Sequence, residues 1–273
     1  MSRVARDSSA GRPICAVCDA EVGRILVSLN GHDVYQCDSC GLGFTFPQPD
    51  CIAEQYDSGY FNLYRRRRQF RLKRADSRLR VIELLIEPGR LLDIGCSLGY
   101  FVEAAVARGW NASGVEISPD ASAEARGFGL DVRTGILQDA GFPDGSFDCV
   151  TMWDVLEHVP DPVAHMLEVR RVLAPGGLVV IGTPDLGHPM RIIKRERWRH
   201  LKPAEHIFYF QGSCISRLFQ RSGFKQVRPP VVGGRSFPGA RAAAFTSATA
   251  RLTRVNDVMT VYGVKDDLDI SAH

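Results

Sequence analysis

The sequence has no apolar run approaching the roughly 20 residues that a helix needs to cross a bilayer, so nothing in it marks a helical membrane span. It also lacks a strong excess of either charge. Its 34 Lys and Arg stand against 31 Asp and Glu, a formal net charge of +3, and this balance demands neither a nucleic-acid nor a membrane partner. Residues 1–12 are polar and offer no signal-peptide core; they read as a disordered tail, and the cytoplasm is the expected location. There is no internal repeat, and no low-complexity segment beyond an arginine run at 65–68. The 273 residues leave room for a main domain of roughly 200 residues with a small module attached.

The cysteines are few but patterned. Four of the eight form two close pairs, Cys15-Ala-Val-Cys18 and Cys37-Asp-Ser-Cys40, while Cys51, Cys96, Cys149 and Cys214 are scattered. Tight pairs in a chain without a secretion signal point to metal rather than disulfides. Between the pairs, Arg24–Leu29 and Asp33–Cys37 read as strands, and Asn30-Gly31 is a strong hairpin signal. Both pairs then sit at one end of a hairpin, with four thiolates around one point. The expectation is a zinc ribbon over 13–49 holding a structural ion with Cys15, Cys18, Cys37 and Cys40, and leaving no open position for catalysis.

The next segment, 50–89, reads as a linker and a basic helix. Leu72, Ala75, Leu79, Ile82 and Ile86 make one apolar stripe, arginines fill much of the remainder, and Pro88-Gly89 ends it. From Arg90 onward, apolar strands alternate with helices: strands over 91–94, 112–116, 131–134, 147–153, 178–183, 224–227 and 259–264, with helices over 100–108, 119–126, 162–173 and 211–221. Strands apolar along nearly their whole length, alternating with helices, indicate an α/β fold, a mostly parallel Rossmann-like sheet covered on both faces. This domain is expected over 90–265, followed by a tail at 266–273.

The most informative stretch is Leu91-Leu-Asp-Ile-Gly-Cys-Ser-Leu-Gly-Tyr-Phe101. A buried strand ends in Asp93, a turn bearing Gly95, Cys96, Ser97 and Gly99 follows, and then a helix. Ligands of open α/β sheets sit at such carboxyl ends. The second strand ends in Glu116, where a carboxylate can accept hydrogen bonds from both hydroxyls of a ribose. The dinucleotide fingerprint fails, because Ser97 and Tyr100 replace its second and third glycines. Gly95-Cys-Ser97-Leu-Gly99 does match the nucleophile elbow of serine hydrolases, with Ser97 as nucleophile, although that elbow normally follows several strands and here the first has just begun.

The third reading is carried by order. Asp-x-Gly-x-x-x-Gly from Asp93, then Glu116, Phe142-Pro-Asp-Gly-Ser-Phe-Asp148, Asp154-Val-Leu-Glu-His-Val159 and Leu173-Ala-Pro-Gly-Gly177 resembles the motif series of class I S-adenosylmethionine-dependent methyltransferases. Position by position, the resemblance implies that Asp93 and the Gly95–Gly99 backbone hold the methionine end, and Glu116 the ribose. Ile117 would lie beside the adenine, with Ile136 and Leu137 at its edge. Many relatives have Asp where Ile136 stands, so the adenine amino contact has no assigned partner beyond a weak candidate, Asp139. Met152 and Trp153 would lie near the reactive end. Ordinary core is the rival reading of each hydrophobic residue.

The ribbon, ending in Tyr35-Gln-Cys-Asp-Ser-Cys-Gly-Leu-Gly-Phe44, is similar to those preceding class I domains in methyltransferases of sugar and surface-polysaccharide biosynthesis. The resemblance implies methylation of a small polar acceptor: a sugar hydroxyl, phosphorylated, nucleotide-linked or lipid-linked. His206, in Lys202-Pro-Ala-Glu-His-Ile-Phe-Tyr-Phe210, and His158 are the candidate bases. Asp154, Glu157 and His158 also resemble the metal-linked Glu-x-x-Glu-His of ubiquinone-type O-methyltransferases. Arg191, Lys194, Arg195, Arg197, Trp198 and Arg199, together with Arg65–Arg68, are candidates to grip an anionic acceptor; a solvated surface is the alternative. Ribosomal RNA is a rival acceptor, against which the near-neutral charge weighs. A non-catalytic S-adenosylmethionine-binding protein is a further alternative.

Overall fold

The structure, a computed structural model, describes residues 12–48, 61–229 and 257–266. Nearly all of both expected tails, residues 49–60 with Cys51, and residues 230–256 lie outside the described residues.

The larger sheet has seven strands. β4 (Arg90–Ile94), β5 (Asn111–Glu116), β6 (Asp131–Thr134), β7 (Phe147–Trp153) and β8 (Leu173–Pro184) run parallel. β11 (Val258–Lys265) is antiparallel to both β8 and β10 (Phe224–Val227), giving the order β10-β11-β8-β7-β4-β5-β6. Leu91, Leu92, Val150, Val179, Val180 and Ile181 are fully buried, as strands covered on both faces require. Each such side chain contributes about 1.5–3 kcal/mol of transfer free energy.

Two of the helices covering this sheet start where their sequences provide side-chain caps. α4 (Pro119–Gly127) has Ser118, whose hydroxyl accepts from Ala121 N, and α5 (Pro162–Val172) has Asp161, which accepts from Ala164 N at 2.9 Å. Both have proline in the first turn, where its missing N–H costs nothing. The basic segment forms a short α1 (Asn62–Arg66) and then α2 (Arg68–Ile82). The apolar stripe predicted α2 out to Ile86, but the helix stops four residues earlier. Leu84 N and Leu85 N fall back on Val81 O and Ile82 O in a tighter turn, and the Glu83 carboxylate is held by Arg108 and Trp110. α3 (Tyr100–Val106) packs beside α2, the short α6 (Pro189–Lys194) follows β8, and α7 (Gly212–Arg221) precedes β10.

The N-terminal hairpin, β1 (Ile25–Leu29) and β2 (His32–Gln36), turns through Asn30 and Gly31, both at positive φ. Two further strands were not expected. β3 (Gly43–Phe46) pairs with β2, and β9 (Phe208–Tyr209), from more than 160 residues away, pairs with β3. The ribbon therefore shares a sheet and a hydrophobic core with the larger domain: Val17, Leu42 and Phe44 lie in one cluster with Phe208, Phe210, Ile215 and Leu218. At Gly41, φ is +82°, a conformation that favours glycine, and the Gln211 side chain just before α7 packs over this knuckle.

Candidate active site and metal centre

Four thiols converge at the end of the hairpin. Cys15 Sγ lies 3.5 Å from Cys40 Sγ, Cys18 Sγ lies 3.5 Å from Cys37 Sγ, and all four lie within 4.8 Å of one another without a disulfide. A zinc tetrahedron with Zn–S bonds of about 2.3 Å has sulfur–sulfur edges of about 3.8 Å, so the set fits such an ion. The hydrogen bond to Cys40, then burial, hold the Cys15 thiol well above the usual range, and burial pushes Cys18 up to about 11. Cys15 and Cys18 thus resist ionisation, whereas at Cys37 burial is outweighed by hydrogen bonds, led by the Cys40 backbone, which lower the thiol; a bound cation would favour the thiolates.

The second site lies at the carboxyl ends of β4, β5 and β7. Asp93 is buried and accepts from Thr151 Oγ1 at 2.6 Å, and burial pushes its carboxyl up to about 7. The following turn is closed by Gly95 N and Cys96 N on Val115 O. At Gly99, φ is +77°, and a Cβ would meet Leu130 Cδ1 at 2.5 Å. Ser97 and Asp154 are non-glycine residues at φ +55° and +59°, a conformation sustained only where the surroundings enforce it. Glu116 is buried, and its carboxylate accepts from Ser97 N at 2.8 Å through one oxygen and from Ser118 N at 2.9 Å through the other. Each oxygen keeps a lone pair for a diol. Ser97 Oγ and Trp153 Nε1 are buried without a hydrogen-bond partner, two polar atoms that a ligand in this cleft would satisfy.

On the acceptor side, the 3-10 turn Leu156–His158 follows β7, and a Cβ on Gly95 would meet Val155 at 2.5 Å, so this turn abuts the glycine turn. His158 and His206 pack edge to face with ring centroids 4.8 Å apart. His158 Nδ1 is tied to Glu205 O at 2.9 Å, which presents Nε2, and His206 Nδ1 is buried without a partner. Burial holds both imidazoles below the usual histidine range, so both are neutral at pH 7. Glu157 is fully buried, accepts from Thr183 Oγ1 at 2.9 Å, and is pushed up to about 8, first by burial and then by Asp154.

A family of methyltransferase domains matches residues 64–228. The chain belongs to this family. Among curated proteins, this methyltransferase is 37% identical over 101 residues to a ubiquinone biosynthesis O-methyltransferase of Xanthomonas oryzae pv. oryzae, a match covering 34% of this chain and 42% of that protein. The chain thus spans less than half the length of the curated O-methyltransferases it matches. It is 27% identical over 227 residues to an uncharacterized 37.1 kDa protein in a transposon of Streptomyces fradiae, covering 78% of this chain and 62% of that one. Among solved structures, a SAM-dependent methyltransferase from Thermotoga maritima has TM-score 0.53 at 23% identity, covering 79% of this chain and 99% of that chain. One from Archaeoglobus fulgidus has TM-score 0.53 at 18% identity, covering 75% and 100%. These likenesses give the fold.

Not every candidate of the methyltransferase faces the cleft. Ile117 and Ile136, at neighbouring strand ends, are 39% and 44% exposed, as ligand-flanking residues would be. Met152 and Leu137 are fully buried core, and Cys96 is buried against Gly114. Beside the cysteines, a second metal-capable group among the described residues is Glu157, His158 and His206; it contains His206 and not Asp154. Trp198 is buried and its Nε1 donates to Asp257 at 2.8 Å, while Arg199, its side chain 59% exposed, pairs with the same carboxylate. Arg65 and Arg68 pair with Glu124 and Glu103.

Arg78 was missed. It sits 3.7 Å over the Trp153 ring, and burial, then Arg74, push its guanidinium down to about 9 while Asp154 and Asp93 pull the other way, leaving it cationic at neutral pH. Its spacing from Ala75 and Ile82 puts it on the inward stripe of α2, the one signal that set it apart from the other arginines.

Proposed function

We propose that this protein transfers the methyl group of S-adenosylmethionine to a hydroxyl of a small polar molecule, a sugar in a phosphorylated, nucleotide-linked or lipid-linked form. The observation that carries the acceptor-side reading is the pair of neutral histidines: His158, on the turn that abuts the glycine turn, and His206, packed edge to face against it. When bound, S-adenosylmethionine supplies an electrophilic methyl on a sulfonium and leaves as a neutral thioether. Glu116 would hold the ribose, and Ile117 and Ile136 would flank the adenine. Asp93, the Gly95–Gly99 backbone and Arg78 would hold the amino-acid end, and Trp153 would lie by the sulfonium. His206 takes the hydroxyl proton at Nδ1 as the oxygen gains the methyl, and His158 is the second choice. Four ribbon cysteines would hold one structural zinc. The O-methyltransferase relatives support oxygen as the acceptor atom.

The test is labelled methyl transfer to a panel of nucleotide sugars and catechols. His206→Ala is expected to slow single-turnover transfer at least tenfold, about 1.4 kcal/mol, with S-adenosylmethionine affinity unchanged within twofold. Full transfer rates in both His206→Ala and His158→Ala would reject histidine as the base.

A second reading has one observation behind it: Glu157, His158 and His206 each offer a ligand atom within 4.8 Å of the others, a three-ligand set that would leave a position open for the acceptor oxygen. Elemental analysis separates the two. One zinc per chain favours the base; two metals per chain, falling to one in His158→Ala, favour the ion.

A further inference from the structure

We propose that Thr45, in the third strand of the ribbon, is a positioning residue for His206, so that the cysteine module sets the acceptor-side histidine. This rests on the assignment of His206 above. Residues 205–207 belong to no helix or strand. They leave a turn in which Glu205 N and His206 N both donate to Lys202 O. Beyond that turn, their backbone is held from two sides. From one side, His158 Nδ1 bonds Glu205 O at 2.9 Å, and Ile207 N donates to Glu157 O at 2.9 Å. From the other, Thr45 Oγ1 donates to His206 O at 2.9 Å, and Thr45 N donates to Ile207 O at 2.9 Å. Thr45 thus makes two of the four clamping bonds, and one of them is on His206 itself.

Thr45 is fully buried and β-branched, so its hydroxyl has little rotamer freedom. The strand carrying it cannot slide. Phe44 and Gly43 pair with Phe208 and Tyr209, and a Cβ on Gly43 would sit 2.9 Å from Leu186 Cδ2 and 3.1 Å from Tyr209 Cβ. The same strand leaves directly from the second cysteine knuckle, whose Cys37 N bonds Leu42 O at 2.9 Å. The route from thiolate to histidine is therefore short: Cys40, four residues of chain, the Thr45 hydroxyl, His206.

Thr45→Val keeps the shape and removes only the hydroxyl, leaving His206 O buried without that donor; Thr45→Ser restores it. The probe is the His206 imidazole, observed by NMR in the zinc-loaded full chain with labelled histidine and bound S-adenosylhomocysteine, and assigned with His206→Ala. The expected result is a displaced or split His206 ring signal in Thr45→Val and a wild-type signal in Thr45→Ser, with S-adenosylhomocysteine affinity within twofold of wild type in both. A Thr45→Val protein that binds zinc and S-adenosylhomocysteine normally with an unmoved His206 signal overturns the proposal. If Thr45→Val does not fold, Gly43→Ala, which pushes the strand off its partner, decides: an unmoved signal overturns the proposal and a displaced one supports it. Loss of rate in His206→Ala is read separately, so the base assignment and the Thr45 link fail independently.

Discussion

Glu116 has two tasks that its mutants should separate. Its two oxygens already tie down Ser97 N and Ser118 N, and the proposed ribose would use the remaining lone pairs. Glu116→Ala removes both sets, each hydrogen bond to a charged group contributing about 1.5–3 kcal/mol. S-adenosylmethionine affinity is expected to fall at least tenfold by calorimetry. Asp93 gives a pH signature. Burial raises its carboxyl to about 7, so in the cofactor-free protein its contribution to stability is complete below the unfolded value of about 3.9 and is lost as pH rises through about 7. The loss is on the order of 4 kcal/mol at most, at about 1.4 kcal/mol per unit. Guanidinium melts should show wild type losing stability between pH 5 and pH 8 more steeply than Asp93→Asn. Parallel profiles would show that Asp93 is not the group titrating. Arg78→Met should weaken S-adenosylmethionine binding while sparing zinc content, measured on the same samples.

The ribbon is the element whose role changed most between sequence and structure. Its hairpin was legible, because Asn30-Gly31 and two Cys-x-x-Cys pairs are local signals. Its third and fourth strands were not. Gly43–Phe46 has only four residues, too few for the alternation of Phe44 and Phe46 with Gly43 and Thr45 to mark a strand, and its partner Phe208–Tyr209 is two residues long and distant in sequence. The same limit applies at the active site. Asp93, Gly95, Gly99 and Glu116 follow a strand-turn-helix pattern that can be read along the chain, whereas the contact of His206 with His158 depends on how two loops meet. The inward turn of Trp198 depended on Asp257, nearly 60 residues away. Because the ribbon and the acceptor loop form one sheet, Cys37→Ser is expected to do more than release zinc. Protease mapping should show new cleavage both near residues 37–46 and near 205–210, and cleavage confined to the ribbon would contradict the shared-sheet account.

At the scale of the whole molecule, the arrangement divides labour between the two ends of the chain. The strand ends of the large sheet gather two buried carboxylates, a half-buried arginine and two orphaned polar atoms, and the ribbon brackets the loop that carries His206. Three of the arginines that invited a polyanionic partner, Arg65, Arg68 and Arg199, are paired with Glu124, Glu103 and Asp257. These pairs and the near-neutral net charge fit the small-molecule acceptor proposed above. The most direct test of the account is calorimetric titration of the full chain with S-adenosylmethionine and, separately, NAD. The account predicts stoichiometric S-adenosylmethionine binding that Glu116→Ala weakens at least tenfold, and no NAD binding. Binding of NAD, or S-adenosylmethionine binding indifferent to Glu116, would contradict it.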